Sequence, residues 1–429
     1  MIIAISVVLF FVLLMVGLDV GFSMIVAALL GMWLHAGGGI DPVMVPLTLV
    51  SSVDSPALVA VPLFVLAGEI MNHGGLTRRL IDWSMAMVGH LRGALSQAAM
   101  TTNLVMAGIS GSAISDATAT GALLIPAMKA EGYRPGYAAA VIAAGAMLGP
   151  ILPPSIPMIV YAVIANVSIG RLFLAGIVPG LLLFVGYMAI CAIIARRRNY
   201  AARPRAAWRD RIRSTRIAIW ALMVPILIVL GIRSGIITET EAAGVICVYA
   251  LLVGLVIYRD LKVRDLSNVF YGAARTSAVI LFLLAAAGPF SWLMSESHLA
   301  SRISEAILGI STDPLMVLLV VNLLLLLVGM VFEPLPALVM FVPTLLPIQA
   351  QLGIDPIQFA MVVILNLMIG MLHPPVGLLI LITAAIGQVR LWSVAVETLP
   401  FLGWSLFVLG LISVFPSVVN WLPQLAMGK

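Results

Sequence analysis

The sequence is poor in charge: lysine and arginine total 23 and aspartate and glutamate 18, a charged fraction of 10% against 62% hydrophobic residues in 429. A water-soluble core of that size cannot absorb so much apolar surface, so a soluble globular protein is excluded. Only two cysteines occur, Cys191 and Cys247, far apart and each inside an apolar run. Neither a disulfide framework nor a metal cluster follows, and both read as packing residues. Also missing are a nucleophile beside a base, a phosphate loop and metal-ligand spacing, which leaves an enzyme without residues to work with. The net charge of +5 does not point to nucleic acid as a partner, because the basic residues fall between apolar runs, where positive charge sets membrane orientation.

Long apolar runs are abundant. Residues 2–18, 20–34, 172–195, 217–230, 244–258 and 315–331 approach or exceed the length that crosses a hydrocarbon layer of about 30 Å. The first lacks a basic n-region and a cleavage site and leads almost directly into the second, so it reads as a retained span. Crossings are expected at 2–18, 20–36, 56–71, 136–166, 172–195, 217–234, 241–258, 276–294, 356–387 and 395–420. The connection 196–216 carries nine arginines and a single acid, Asp210, which makes it cytoplasmic. Counting outward, Arg78, Arg79, Arg92, Lys129, Arg134, Arg259, Lys262, Arg264, Arg275 and Arg390 fall on that side too. Only Arg171, Arg233, Arg302 and Lys429 fall outside, together with both termini.

The chain also repeats itself. At an offset of 221, Gly132 matches Gly353, Pro135 Pro356, Gly149 Gly370, Pro153 Pro374, Pro154 Pro375 and Pro179 Pro400. Upstream the offset is 217, pairing Asp116 with Glu333 and Pro126 with Pro343. Each half then holds five crossings, and an odd number inserts the second copy upside down. The expected fold is therefore an all-α integral membrane protein built as an inverted repeat, with two re-entrant helical hairpins and two broken helices. In the first hairpin, residues 93–107 lead to a small, polar tip at 108–116, and 117–128 return. In the second, 314–328 lead to a tip at 329–334, and 335–349 return. After each comes a helix interrupted by glycine and paired prolines, at 148–155 and 369–375, since proline removes a donor and pushes its predecessor out of helical angles. Irregular backbone at membrane depth is tolerated only against protein or a wet cavity, so these four segments are expected to line an ion and substrate site.

Asp116 is the sharpest candidate: a carboxylate in an apolar hairpin is costly unless it pairs, binds a cation or faces water. Ser110, Ser112, Ser115 and Thr118 surround it in sequence with neutral oxygens, a donor set that suits a hard monovalent cation such as sodium. The plain alternative, that Asp116 caps the returning helix, is compatible with it. Glu333 takes the matching place in the second hairpin, where a site role and a helix-start acid at the membrane surface are both open. Asn103 and Asn322 suit hydrogen bonds across the bundle, and His373 abuts the second break as a lining residue or a proton carrier. Residues 76–91 and 298–308 are amphipathic and too charged to span, as interfacial helices are; Arg78, Arg79 and Arg92 then read as snorkelling or lipid-facing charges, although an arm bracing a moving domain has the same pattern.

The stretches 62–72, 107–113, 149–157 and 172–180, with Leu365-Asn366-Leu367 and Pro374-Pro375-Val376-Gly377-Leu378 in the second half, resemble the large permease subunit of TRAP transporters, the DctM-like family, over essentially the whole chain. The resemblance implies a tripartite system of the bacterial inner membrane: a periplasmic binding protein captures an organic acid, a small four-helix membrane subunit partners this one, and sodium drives uptake by an elevator motion. It carries the ion-site pattern to Ser110, Asp116 and Gly149 in the first half and to Gly329 and Gly370 in the second. A substrate region between the hairpin tips is implied, and Ser112, Ser115, Pro153, Ser155, Glu333 and His373 are its candidates. His373 stands where the family commonly has threonine, and Glu333-Pro334-Leu335-Pro336 is richer in proline than usual. The expected division is scaffold and arm at 1–92, transport region at 93–166, scaffold, arginine-rich loop and second arm at 167–309, transport region at 310–387 and a scaffold helix at 388–429. A stand-alone carrier of similar architecture is the rival reading; a channel or membrane enzyme lacks the residues.

Overall fold

The computed structural model describes residues 2–35, 43–233, 237–296, 309, 311, 313–374 and 377–428. The second amphipathic stretch, Pro375 and Val376 lie outside them. Every regular element among the described residues is a helix, the form that satisfies backbone groups locally inside a membrane. One group contains α1 (Ile2–Met15), α2 (Val20–His35), the short α3 (Met44–Ser51), α4 (Ala60–His73), α12 (Glu239–Leu252) and α13 (Leu266–Glu296). Within it α2 packs on α1 and α13, and α4 on α12 and α13.

The first hairpin is α6 (Ala94–Ser110) and α7 (Ala113–Ala130), and the first broken helix is α8 (Pro135–Ala146) and α9 (Ile156–Ala165). Their counterparts are α14 (Pro314–Val331) with α15 (Pro334–Gln351), and α16 (Pro356–Gly370) with α17 (Leu378–Gly387). The halves repeat down to hydrogen bonds. After α7, Gly132 is left-handed (φ 81°), with Tyr133 N donating to Met128 O and Gly132 N to Lys129 O. After α15, Gly353 is left-handed (φ 62°), with Ile354 N donating to Gln349 O and Gly353 N to Ala350 O. Both are the same glycine helix stop, and the paired glycines supply the positive φ it requires. The halves also interlock: α7 packs on α17, and α15 on α9.

Residues 136–146 of α8 and 358–370 of α16 are all buried. Their alanines and glycines let neighbouring backbones close up, which is how helices pack where lipid offers no hydrophobic drive. The long helices α10 (Ile169–Arg197) and α18 (Leu391–Val414) pack on these central elements and on each other. Gly186 leaves room for the Trp404 indole, which donates to Leu182 O (3.0 Å), and the Tyr187 hydroxyl meets Ser405 Oγ at 2.6 Å.

Among the described residues eight helices are long and apolar enough to cross a membrane, the two arms of the second hairpin included. Several expected boundaries move. The helix α11 (Trp208–Arg233) begins nine residues before the expected crossing at 217, and α13 ten before the crossing at 276. Hydropathy stops at the first arginine, but the backbone ladder continues while long basic side chains reach polar surroundings. The last expected crossing, 395–420, is two helices, α18 and α19 (Ser417–Met427), divided where Phe415 turns extended before Pro416.

The arm α5 (Leu76–Val88) packs on α6 and α11 through its buried face of Leu76, Thr77, Leu80 and Ser84. Arg79 is no lipid-facing charge: it pairs with Asp260 and lies 4.0 Å over the Tyr258 ring. The arginine-rich connection does more than set topology. Tyr200 stacks on Tyr133 (ring centroids 4.1 Å apart), Arg203 pairs with Glu131, and Arg198 meets Glu397 at 2.8 Å. It thereby ties the ends of α10, the first hairpin and α18 together.

Candidate ion and substrate site

At the first hairpin tip, α6 ends because Gly111 turns left-handed (φ 61°), and Ser112 is extended and starts α7 by accepting from Ser115 N (3.4 Å). The cap is therefore Ser112. Asp116, one turn further on, is fully buried; its Oδ1 accepts from Ser110 Oγ at 2.5 Å, and its Oδ2 has no partner among the described residues. Thr120 Oγ1 donates to the Asp116 carbonyl (2.6 Å) and lies 3.2 Å from Asn103 Oδ1, so the amide of α6 braces the turn that carries the carboxylate.

The unpartnered oxygen faces the break in the first broken helix. A Cβ on Gly149 would lie 2.7 Å from Asp116 Oδ2 and 3.2 Å from the Ser112 carbonyl carbon. Glycine is what lets the carboxylate approach the unwound backbone so closely. A buried carboxylate oxygen left unbonded costs more than about 1–3 kcal/mol. Ser110, Asp116 and the Gly149 turn thus form an acceptor-rich, dehydrated corner whose chemistry suits a small cation. No cluster of three His, Cys, Asp or Glu side chains forms among the described residues.

The second half brings its paired glycines together in another way. A Cβ on Gly329 would sit 3.1 Å from the Gly370 Cα, and one on Gly370 would run into the Gly329 backbone. No carboxylate intervenes. Nearby, Asn366 Nδ2 donates to Asn322 Oδ1 (2.7 Å) and Asn322 Nδ2 to Ser413 Oγ (3.1 Å), a buried amide chain between α14, α16 and α18. Asn366 stands one repeat from Gly145, and a Cβ on Gly145 would lie 2.8 Å from Asn103 Nδ2.

A cavity of about 710 Å³ lies between the two hairpin tips and the helices α4 and α13. That is ample for a small organic molecule. Ser110, Ser112, Ser115 and Glu333 line it, while Pro153, Ser155 and His373 are not on its wall. The reasons are local. Ser155 spends its hydroxyl on capping α9, donating to Pro150 O (2.5 Å) and accepting from Met158 N (3.2 Å). Pro153 faces Gly170, Phe173 and Ile228 instead, and His373 Nδ1 turns back to the Pro374 carbonyl at 2.7 Å.

The wall also contains residues that hydropathy and loop charge do not mark as site residues: Glu69, Asn72 and His73 on α4, and Arg275 and Thr276 on α13. Asn72 Nδ2 donates to Ser115 Oγ (3.0 Å), joining α4 to the start of α7. Arg275 had served as a loop charge, but it lies within α13, nine residues after its start at Leu266. A 31-residue helix exceeds the bilayer's need of about 20, and that excess was the available signal.

Comparison with known proteins agrees with this architecture. Residues 7–418 match the family described as the tripartite ATP-independent periplasmic transporter, DctM component. The chain is 37% identical over 416 residues to the sialic acid TRAP transporter large permease protein SiaM of Vibrio cholerae, covering 97% of both. It is 37% identical to the 2,3-diketo-L-gulonate TRAP transporter large permease protein YiaN of Escherichia coli, covering 87% of this chain and 88% of that one. To the C4-dicarboxylate protein DctM of Pseudomonas aeruginosa it is 36% identical, covering 86% of each. The crystal structure of the Alcanivorax borkumensis YdaH transporter superposes with a TM-score of 0.60 over 88% of both chains at 14% identity, a likeness of fold.

Proposed function

Since the chain belongs to the DctM family of tripartite ATP-independent periplasmic transporters, as a multi-pass inner-membrane permease subunit and not an enzyme, we propose that it takes up an organic acid in symport with sodium. A periplasmic binding protein delivers the acid, and a small four-helix membrane subunit completes the permease. The observation that carries the ion coupling is the buried Asp116, with one oxygen held by Ser110 and the other unpartnered against Gly149. Sodium beside that oxygen draws the hairpin tip onto the broken helix, so cation binding and the shape of the adjoining cavity are linked. Gly329 and Gly370 belong to a second ion site in which backbone carbonyls replace the carboxylate.

The transport step is an elevator motion of the interlocked hairpins and broken helices against α2, α4, α12 and α13. The cavity lies along the boundary between these groups, with the hairpin tips on one wall and α4 and α13 on the other. The end of α4 and the beginning of α13 are cytoplasmic by the loop charges, so the cavity corresponds to the inward-facing arrangement. In place of the scaffold role expected for their residues, we group α10 and α18 with the moving set, because they pack on it and the Tyr200 and Arg203 contacts tie α10 to the first hairpin.

The test is uptake by liposomes holding this chain and its small partner, with and without the binding protein and with sodium or potassium outside. Asp116→Asn, which keeps the shape and removes the charge, is expected to lower sodium-dependent uptake by about a hundredfold or more while leaving membrane assembly intact. Normal sodium dependence in that variant refutes the assignment, and full uptake without the binding protein refutes the tripartite arrangement.

A further inference from the structure

The cavity wall carries an uneven set of charges. Arg275 is its one guanidinium, and it shares the wall with two carboxylates, Glu69 and Glu333, and with His73 as the remaining titratable group. Neither Arg275 nor Glu333 has a salt-bridge partner among the described residues, while Glu69 lies 3.5 Å from His73 Nδ1. The four come from three elements. Glu69 and His73 are on α4, Arg275 is on α13, and Glu333 is at the start of α15. Glu69 is held toward α13, where a Cβ on Gly272 would lie 3.9 Å from its carboxylate. Ser112, Ser115 and Thr276 add hydroxyls.

A bound organic acid must place its carboxylate where positive charge is available, and on this wall the guanidinium offers that, through charge-assisted hydrogen bonds. Of the other titratable groups, the two carboxylates are acceptors, and His73 lies 3.5 Å from one of them. A second carboxylate on the ligand would meet Glu69 or Glu333, and like-charge juxtaposition in a partly dehydrated cavity costs several kcal/mol, which is how a site rejects a wrong ligand. Ligand hydroxyl or ammonium groups would instead donate to those carboxylates.

We infer that the carried substrate is a monocarboxylate rich in hydrogen-bond donors, such as a sugar acid, anchored by Arg275, and that Glu69 and Glu333 select against dicarboxylates. This rests on the reading of the cavity as the substrate site. Relatives named for sialic acid, for diketogulonate and for C4-dicarboxylates span both kinds of ligand, so the charge set of the wall is what decides between them here.

The binding protein would mask the permease's own preference, so the measurement omits it. The purified permease with its membrane partner, in lipid nanodiscs, is titrated by thermal shift with gluconate, N-acetylneuraminate, succinate and malate, each with sodium, and with sodium alone. Malate separates the effect of a hydroxyl from that of a second charge. At least one of the two sugar acids is expected to stabilise at a concentration about tenfold below either dicarboxylate. Arg275→Gln is expected to lose the response to acids but keep the response to sodium, which shows that the variant is folded. Glu333→Gln is expected to raise the response to succinate by about tenfold. Succinate or malate matching the sugar acids in the wild type overturns the substrate class while the sodium response upholds the ion site. Sugar-acid binding that survives Arg275→Gln overturns the anchor. No response to any acid or to sodium overturns the site reading and this inference with it.

Discussion

The two hairpins share topology, chain length and helix-stop chemistry, yet they live in different surroundings. In α6, 15 of 17 residues are buried, against 6 of 18 in α14, so one outgoing helix is an interior element and the other an outer wall. Leu315, Leu319, Leu323 and Leu327 form an exposed stripe along α14, one residue every four positions, as suits a helix facing lipid. At the tips the contrast is chemical. The first brings Ser110 and a buried Asp116 to Gly149; the second brings one glycine backbone against another and leaves Glu333 facing the cavity. The two copies share the backbone, and their side chains differ: a buried carboxylate corner at one tip and a carboxylate on the cavity wall at the other.

The strongest way to break this contrast is an alanine at each broken-helix glycine. In Gly370→Ala the new methyl meets the Gly329 backbone, which cannot swing aside. The expected cost is about 3 kcal/mol or more, read as loss of folded protein or a large fall in unfolding temperature. In Gly149→Ala the methyl meets a side-chain carboxylate oxygen at 2.7 Å and backbone only at 3.2 and 3.3 Å, so small shifts relieve it. That variant is expected to fold and to lose sodium response instead. If both variants lose stability equally, the two sites are not chemically distinct.

A smaller effect is expected from Ser110→Ala. It leaves Asp116 Oδ1 without its donor, and a hydrogen bond to a charged group contributes about 1.5–3 kcal/mol. Sodium affinity should fall roughly tenfold to a hundredfold, measured by the sodium dependence of the thermal shift. Unchanged affinity would mean that the hydroxyl merely packs. The smallest effect belongs to Leu323→Ala on the lipid-facing stripe, expected within about 0.5 kcal/mol of wild type. A larger loss would show that α14 is covered by protein in the assembled permease.

The repeat was legible because its signals are backbone requirements: Gly132 and Gly353 must adopt positive φ, and the Pro-rich breaks cannot hold a helix. The Asp116 corner was half legible. A lone acid among serines in an apolar hairpin announces itself, but only the geometry shows that Ser112 does the capping and leaves Asp116 free for other work. Adjacency to a break says nothing about which way a side chain turns: Ser155 and His373 lie off the cavity wall, with their polar atoms on Pro150 and Pro374. Arg275 was passed over for the opposite reason: a loop charge and a helix charge are identical letters until the helix start is known.

The sequence by itself determined that the chain lives in a membrane, that it is a duplicated and inverted bundle, and that four of its segments are interrupted. These follow from hydropathy, loop charge and glycine–proline chemistry, all properties of neighbouring residues. Tertiary structure alone decided that Asp116 meets Gly149, that Arg275 and Glu333 line one cavity, and that the hairpins of one half pack on the broken helix of the other. These contacts join residues from about thirty to more than two hundred positions apart, and close packing, which has no sequence period, sets them.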